Sequence, residues 1–379
     1  MWKVPLFKLN YDMHESNAVD KVLKSQWITM GEKTTLLEAQ FENYLGNDSI
    51  AVAVSSCTAA LHLSMLALNI QKGDEIIVPS LSFIAQINII KNLGAIPILV
   101  DCVSEDNLNM DMTTIKSKIT SKTKAIIVLH YAGYPCEIND EILNLCNKNN
   151  IKIIEDVAHA PGAEINKIKC GTIGDFGCFS FFSNKNIAAG EGGLVVVKDI
   201  EIAKRLKLLR SHGMTSLSLD RIKGRAFDYD VIEYGLNYRI DEIRSAIAIE
   251  QLKKLDEANK LRKNKVKLYK DNLKNIDVNI PFSNFDNLNT SVYHIFPILL
   301  PKDIDRRKIM EKLQYKGVQS SIHYPAFWSF SKYKSIFESN NFPMCKEIFN
   351  RQLTLPLYPT MRDKDVNYVC DSLREIINE

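Results

Sequence analysis

Short apolar runs alternate with helix-length amphipathic stretches along the first half of the chain. Residues 50–54, 75–78, 96–100, 125–129, 151–154, 177–182 and 194–197 have the length and side-chain content of buried strands. Segments such as 58–68 and 137–148, between them, read as helices. That order predicts an α/β fold with a mostly parallel sheet covered on both faces. Ligands of such sheets sit beyond the carboxyl ends of the strands. Distinctive residues fall at those ends here: Ser55 to Thr58, Pro79, Ser80, Asp101, His130, Asp156 and Lys185. Further on, residues 239–275 predict one long helix or a helix pair. The polar, Asn-rich stretch 271–291, broken by Pro281, reads as a connection. A strand over 293–300 and helices over 304–315 and 363–377 make a smaller C-terminal unit. The expected division is 1–250 for the large domain and 251–379 for the small one.

Composition narrows the function classes. A chain of 379 residues exceeds one small core, and 46% hydrophobic with 25% charged residues is ordinary for a soluble globular protein. A formal charge of +3 gives no reason to expect nucleic acid. The basic run 261–270 reads as a solvated helix face. No run reaches membrane-spanning length, and the N-terminus lacks the apolar stretch of a signal peptide. The eight cysteines form no C-x-x-C pair, so no metal site is expected, and free thiols fit a cytoplasmic protein.

The candidate chemistry lies in three places. Phe176 to Asn186 is an aromatic strand pattern leading to Lys185, and Ile151 to Asp156 is an apolar run ending in acids. A buried amine beside a buried carboxylate is costly unless chemistry uses it. An aldehyde cofactor with a basic ring nitrogen needs both: an amine to bond the aldehyde and a carboxylate to keep the nitrogen protonated. The turn Ser55-Ser56-Cys57-Thr58 offers a helix N-terminus for a phosphate, although Ser and Thr are also ordinary caps. It is neither a Walker loop nor a dinucleotide fingerprint. His159 reads equally as a core histidine or as a partner of the ring's hydroxyl side. Lysines are most often solvated loop residues, and only the company of Asp156 argues otherwise for Lys185.

In this order along nearly the whole chain, the segments resemble the DegT/DnrJ/EryC1/StrS family of pyridoxal-phosphate-dependent sugar aminotransferases. They are Trp27-Ile-Thr-Met-Gly31, Ser55 to His62, Val78 to Ala85, Glu155 to Ala160, Phe179 to Asn186, Gly190-Glu-Gly-Gly193, Tyr234 to Arg239, Tyr293 to Phe296, His323-Tyr-Pro325 and Leu355 to Pro359. The resemblance implies the fold type I architecture, a large domain with a mixed, mostly parallel sheet beside a smaller C-terminal α/β domain. It gives Lys185 as the Schiff-base lysine and Asp156 as the partner of the pyridine nitrogen. His159 would meet the 3-hydroxyl and Phe83 would stack on the ring. Cys57, Thr58 and Ser180 would hold the phosphate. Asn237 would reach the phosphate of a second subunit, making a homodimer with shared sites. Cys57 departs from the glycine often found at its position. Trp27, Arg239, His323 and Tyr324 are the expected substrate contacts, with Arg225 a further candidate for a diphosphate.

The expected reaction moves an amino group from an amino acid, glutamate first, to a nucleotide-linked keto sugar through pyridoxamine phosphate. A 4-keto-6-deoxy sugar is favoured over a 3-keto sugar. Alternatives are a cyclitol or other ring ketone, and a non-catalytic regulatory protein on the same fold. Family dehydratases carry histidine in place of the Schiff-base lysine, so Lys185 argues against dehydration.

Overall fold

The computed structural model describes residues 2–46, 48–216, 224, 227–285 and 290–379. Its centre is a seven-stranded sheet of β1 (Ile50–Val54), β2 (Glu75–Pro79), β3 (Ile96–Val100), β4 (Thr123–Leu129), β5 (Lys152–Asp156), β6 (Phe176–Ser180) and β7 (Gly193–Val197). The strand order is β1-β7-β6-β5-β4-β2-β3. Every pairing from β6 to β3 is parallel, and only β7 runs against its neighbours β1 and β6. The strands are almost wholly apolar, as burial on both faces requires. One core face packs α3 (Cys57–Ala67), α4 (Ala85–Asn92) and α6 (Ile200–Leu209) against Val52, Val78, Ile127 and Val195, and α5 (Asp140–Lys148) packs in a further cluster with Ile126 and Ile153. The opposite face packs α2 (Glu32–Leu45) and the start of α7 (Glu242–Leu273) against Ala51, Ala53, Phe179 and Val196.

Helix α7 is one continuous 32-residue helix where the sequence left a helix pair open. Ala248, Leu252 and Leu255 belong to the sheet's core, and Val266, Tyr269 and Leu273 to a separate C-terminal core. It therefore crosses residue 250 and contributes to both cores. The C-terminal core holds the antiparallel pair β8 (Phe296–Leu299) and β9 (Gln352–Leu355), with α8 (Arg306–Tyr315) and α10 (Asp363–Asn378). Val4 bridges to Val318, tying the N-terminal segment to this unit. Between the units, Asp101 Oδ2 accepts from Met344 N–H at 2.9 Å and Oδ1 from Cys345 N–H at 2.7 Å. The strand-end acid thus caps α9 (Pro343–Arg351), whose proline start supplies no side-chain cap.

The region 271–291 is more than a connection. Phe282 is buried and stacks on Tyr134 with ring centroids 4.1 Å apart. The helices before residue 50, α1 (Met13–Ser25) and α2, were not read from the sequence. Helix α2 starts at Gly31, which has no side chain to cap it. Glu242 Oε1 accepts from the Gly31 and Thr34 N–H groups at 2.9 Å, and Oε2 from Lys33 N–H at 2.7 Å. No helix among the described residues is long and apolar enough to cross a membrane.

Candidate active site

Three carboxyl ends of the sheet open on one cavity of about 450 Å³. Asp156 closes β5, two residues later than the strand read from the sequence, and is 5% exposed. Its Oδ1 accepts from Ala158 N–H at 3.0 Å and its Oδ2 from Gln86 Nε2 at 2.7 Å. Ser82 Oγ donates to Gln86 Oε1 at 3.1 Å, which orients that amide toward the acid. Burial pushes the Asp156 carboxyl above the usual range, against the pull of the Gln86 and Ala158 donors and of Lys185.

Strand β6 ends at Ser180, so Lys185 stands on the following loop rather than at the strand end. The loop is pinned: Phe181 N–H donates to Gly192 O at 2.9 Å, Ala189 N–H to Phe181 O at 2.8 Å and Lys185 N–H to Phe182 O at 2.9 Å. The Lys185 side chain is half-buried at the cavity wall. Burial brings its amine down to about 8, although Asp156 and Cys57 favour the charged form.

Ser56 caps α3, its Oγ accepting from Ala59 N–H at 3.1 Å. Cys57 and Thr58 lie in the first turn, where backbone N–H groups have no helical partner, and both line the cavity. Strand β7 begins against this turn. A Cβ on Gly193 would stand 2.6 Å from Cys57 N, so only glycine permits the approach. Ser180 also lines the cavity, with its Oγ accepting from Phe182 N–H at 3.3 Å.

His159 is buried, and its Nδ1 accepts from Ala132 N–H at 3.2 Å. A neutral ring with Nδ1 so engaged carries its proton on Nε2, which donates to Tyr324 Oη at 2.6 Å. Burial first, then the Lys185 charge, holds His159 well below the usual histidine range. Tyr324 stacks on His159 and lies 5.5 Å from the Phe83 ring, centroid to centroid. Phe83 is 54% exposed, its ring standing open at the cavity wall. His323 Nδ1 is 3.0 Å from Thr354 Oγ1, and burial followed by Lys185 lowers the ring to about 3.

The structure thus brings Cys57, Thr58, Phe83, Asp156, His159, Ser180, Lys185, His323 and Tyr324 to one cavity. It does not bring Trp27, Asn237 or Arg239 to the wall of that cavity within one chain. The Trp27 indole lies over Gly31, where a Cβ would come 2.6 Å from Nε1. Tyr238 O accepts from Ser55 N–H at 2.8 Å, so the backbone beside Asn237 runs past the strand-to-helix turn. The Asn237 side chain itself is exposed. Arg239 has its Nη1 buried without a partner, and burial and Arg210 lower its guanidinium. Arg225 lies outside the described residues.

Sequence reasoning missed Gln86, one helical turn beyond Phe83, and gave His294 no role. Another strand-end residue, His130, serves the fold. Its Nδ1 accepts from Cys136 N–H, and Nε2 donates to Glu155 at 3.0 Å. Three backbone N–H groups, of Gly171, Ile173 and Gly174, complete the Glu155 acceptor set.

The donor set fits pyridoxal phosphate. An amine stands ready for the aldehyde, a buried carboxylate for the ring nitrogen, an open ring for stacking, and a helix N-terminus for the phosphate. Lys185, Asp156, Phe83, and Cys57 with Thr58 and Ser180 would hold these groups in turn.

Comparison with known proteins agrees. An uncharacterized protein of Methanocaldococcus jannaschii, MJ1066, is 38% identical over 382 residues, covering 99% of this chain and 98% of that protein. Among solved structures, the PLP form of the putative sugar aminotransferase Spr1654 from Streptococcus pneumoniae is 27% identical with a TM-score of 0.90, covering 100% of this chain and 98% of that one. Helicobacter pylori PseC, an aminotransferase in the biosynthesis of pseudoaminic acid, is 28% identical with a TM-score of 0.88, covering 100% and 99%. Residues 10–374 match a single family description. The chain belongs to the DegT/DnrJ/EryC1/StrS aminotransferase family.

Proposed function

We propose that the protein is a pyridoxal-phosphate-dependent aminotransferase that holds its cofactor on Lys185 and moves an amino group from glutamate to a nucleotide-linked keto sugar, a 4-keto-6-deoxy sugar before a 3-keto one. The observation that carries this reading is the placement of the Lys185 amine, the Asp156 carboxylate and the α3 N-terminus around one cavity. When bound, the cofactor supplies an aldehyde and an electron-withdrawing ring.

The chain's own groups do the rest. Gln86 and Ala158 aim the Asp156 carboxylate, which holds the ring nitrogen's proton through a charge-assisted hydrogen bond. An amine brought to about 8 has free base available near neutral pH, so Lys185 can move a proton at the substrate carbon. His159 gives its N–H to Tyr324, which leaves the tyrosine's own O–H free to donate into the cavity. Phe83 would cover one face of the ring.

The site is completed by a second copy of the chain, with Asn237 reaching the partner's phosphate. Two features support this reading. Asn237 is exposed instead of facing its own cavity, and the segment before it exposes Phe227, Val231, Ile232 and Tyr234. Apolar exposure of this kind marks an association surface. All eight cysteines are free, in keeping with the cytoplasm as its compartment. Assay of a panel of nucleotide 4-keto and 3-keto sugars with glutamate tests the substrate. Turnover of a free cyclitol ketone, with none of the sugars, would replace the reading by its alternative.

A further inference from the structure

Behind Lys185 runs a polar chain that the chemistry above leaves unused. The neighbouring Asn186 is buried, and its amide nitrogen donates to Asn259 Oδ1 at 2.8 Å and to Val292 O at 3.1 Å. With both amide hydrogens engaged, Asn186 Oδ1 can only accept. His294 Nδ1 lies 3.1 Å from that oxygen, so the imidazole carries its proton on Nδ1. A neutral ring has one N–H, and Nε2 keeps its lone pair. That lone pair stands 3.4 Å from Lys185 Nζ, at the long end of hydrogen-bond range. The ring is 3% exposed, and burial followed by the Lys185 charge keeps it neutral.

We propose that His294 is a positioning residue for Lys185: its Nε2 lone pair, fixed in place by Asn186, accepts from the amine and holds it at the cavity wall whenever it is not bonded to the cofactor. Among the described residues, His294 supplies the acceptor within hydrogen-bond reach of Nζ. The other groups around the amine are differently engaged. His159 spends Nδ1 on Ala132 and its N–H on Tyr324, and His323 spends Nδ1 on Thr354. Each Asp156 oxygen already accepts one hydrogen bond, from Gln86 or Ala158, and Cys57 stands 4.0 Å from Asp156. Arg262 lies on the far side of His294, with Nη1 3.5 Å from His294 O. The arrangement gives a released amine a defined place to return to without adding a second charge to the site.

The consequence for catalysis rests on Lys185 being the cofactor lysine, but the hydrogen bond is testable without cofactor. The probe is reductive methylation of the apo-protein with formaldehyde and cyanoborohydride, followed at the Lys185 peptide by mass spectrometry as a function of pH. The parent midpoint is expected at about 8. In His294→Phe, which keeps a ring and removes the acceptor, the midpoint should fall by about one pH unit, the size of one hydrogen bond to a charged group. Labelling at neutral pH should then rise about fivefold. His294→Gln, which offers an acceptor at the same reach, should keep the parent midpoint. The limiting rate at high pH separates access from proton affinity. An unchanged midpoint in His294→Phe, or a fall in His294→Gln as large as in the phenylalanine variant, overturns the proposal.

A second measurement needs no change at His294. In nitrogen-15 spectra of histidine-labelled apo-protein, one unprotonated Nε2 signal should move between the parent and Lys185→Met. No movement of any histidine signal overturns the proposal. Borohydride labelling of the holoprotein reports separately whether Lys185 carries the cofactor.

Discussion

At the scale of single residues, the site depends on charges kept scarce. Three histidines, His159, His294 and His323, surround one lysine, and burial keeps all three neutral. Asp156, a carboxylate at the same cavity, is held by two neutral donors. Replacing it with asparagine would remove the charge of the proposed ring-nitrogen partner and keep the shape. Asp156→Asn should lose about a hundredfold or more in turnover. It should still bind pyridoxal phosphate, as spectral titration would record, and a full-rate variant would leave Asp156 a turn-former. Lys185 also writes a pH signature into the apo-protein. Its folded pKa of about 8 lies below the ordinary 10.5. Between those values the folded chain has lost a proton that the unfolded chain still holds, so stability should rise with pH across that window. Urea unfolding should show this rise in the parent relative to Lys185→Met, and parallel curves would contradict it.

At the scale of elements, the site is made largely by turns and loops that leave strand ends. The apolar runs made β1 to β6 legible, and the Ser-Ser-Cys-Thr turn was readable because capping residues open α3. The reversal of β7 was not readable, because strands buried on both faces look alike whichever way they run. Helix α2 was missed because its cap, Glu242, lies far away in sequence. The same distance hid Gln86 and His294: each matters through a partner on another element, and neither has a spacing that marks it. The β7–α3 junction gives the test at this scale. Gly193→Ala places a Cβ against the backbone of Ser56 and Cys57. It should cost about 1–3 kcal/mol of stability, the usual range for overpacking. If the Ser56–Thr58 turn holds the phosphate as proposed, affinity for pyridoxal phosphate should fall with it. Thermal melts and cofactor titration read the two effects separately. Unchanged cofactor affinity would detach this turn from the phosphate.

At the scale of the whole molecule, α7 and the Asp101 cap of α9 join the two units, and the proposed second copy would meet Phe227, Val231, Ile232 and Tyr234, which stand exposed before Asn237. Losing the Asn237 amide should cost about 1.5–3 kcal/mol of cofactor affinity. In a dimer with shared sites, mixed dimers of Lys185→Ala and Asn237→Ala contain one site with both residues intact, so at limiting cofactor the mixture should exceed the summed activity of the two variants. No recovery after proven subunit exchange would mean that Asn237 serves its own chain or no cofactor. Everything else depends on the lysine. The most direct measurement is borohydride reduction of the intact holoprotein, followed by digestion and mass spectrometry. The phosphopyridoxyl mass should appear on the peptide containing Lys185, and prior incubation with glutamate should remove it by carrying the cofactor to its amine form. A label on another lysine, or no label on a cofactor-loaded protein, would contradict the assignment of Lys185 and the transamination built on it.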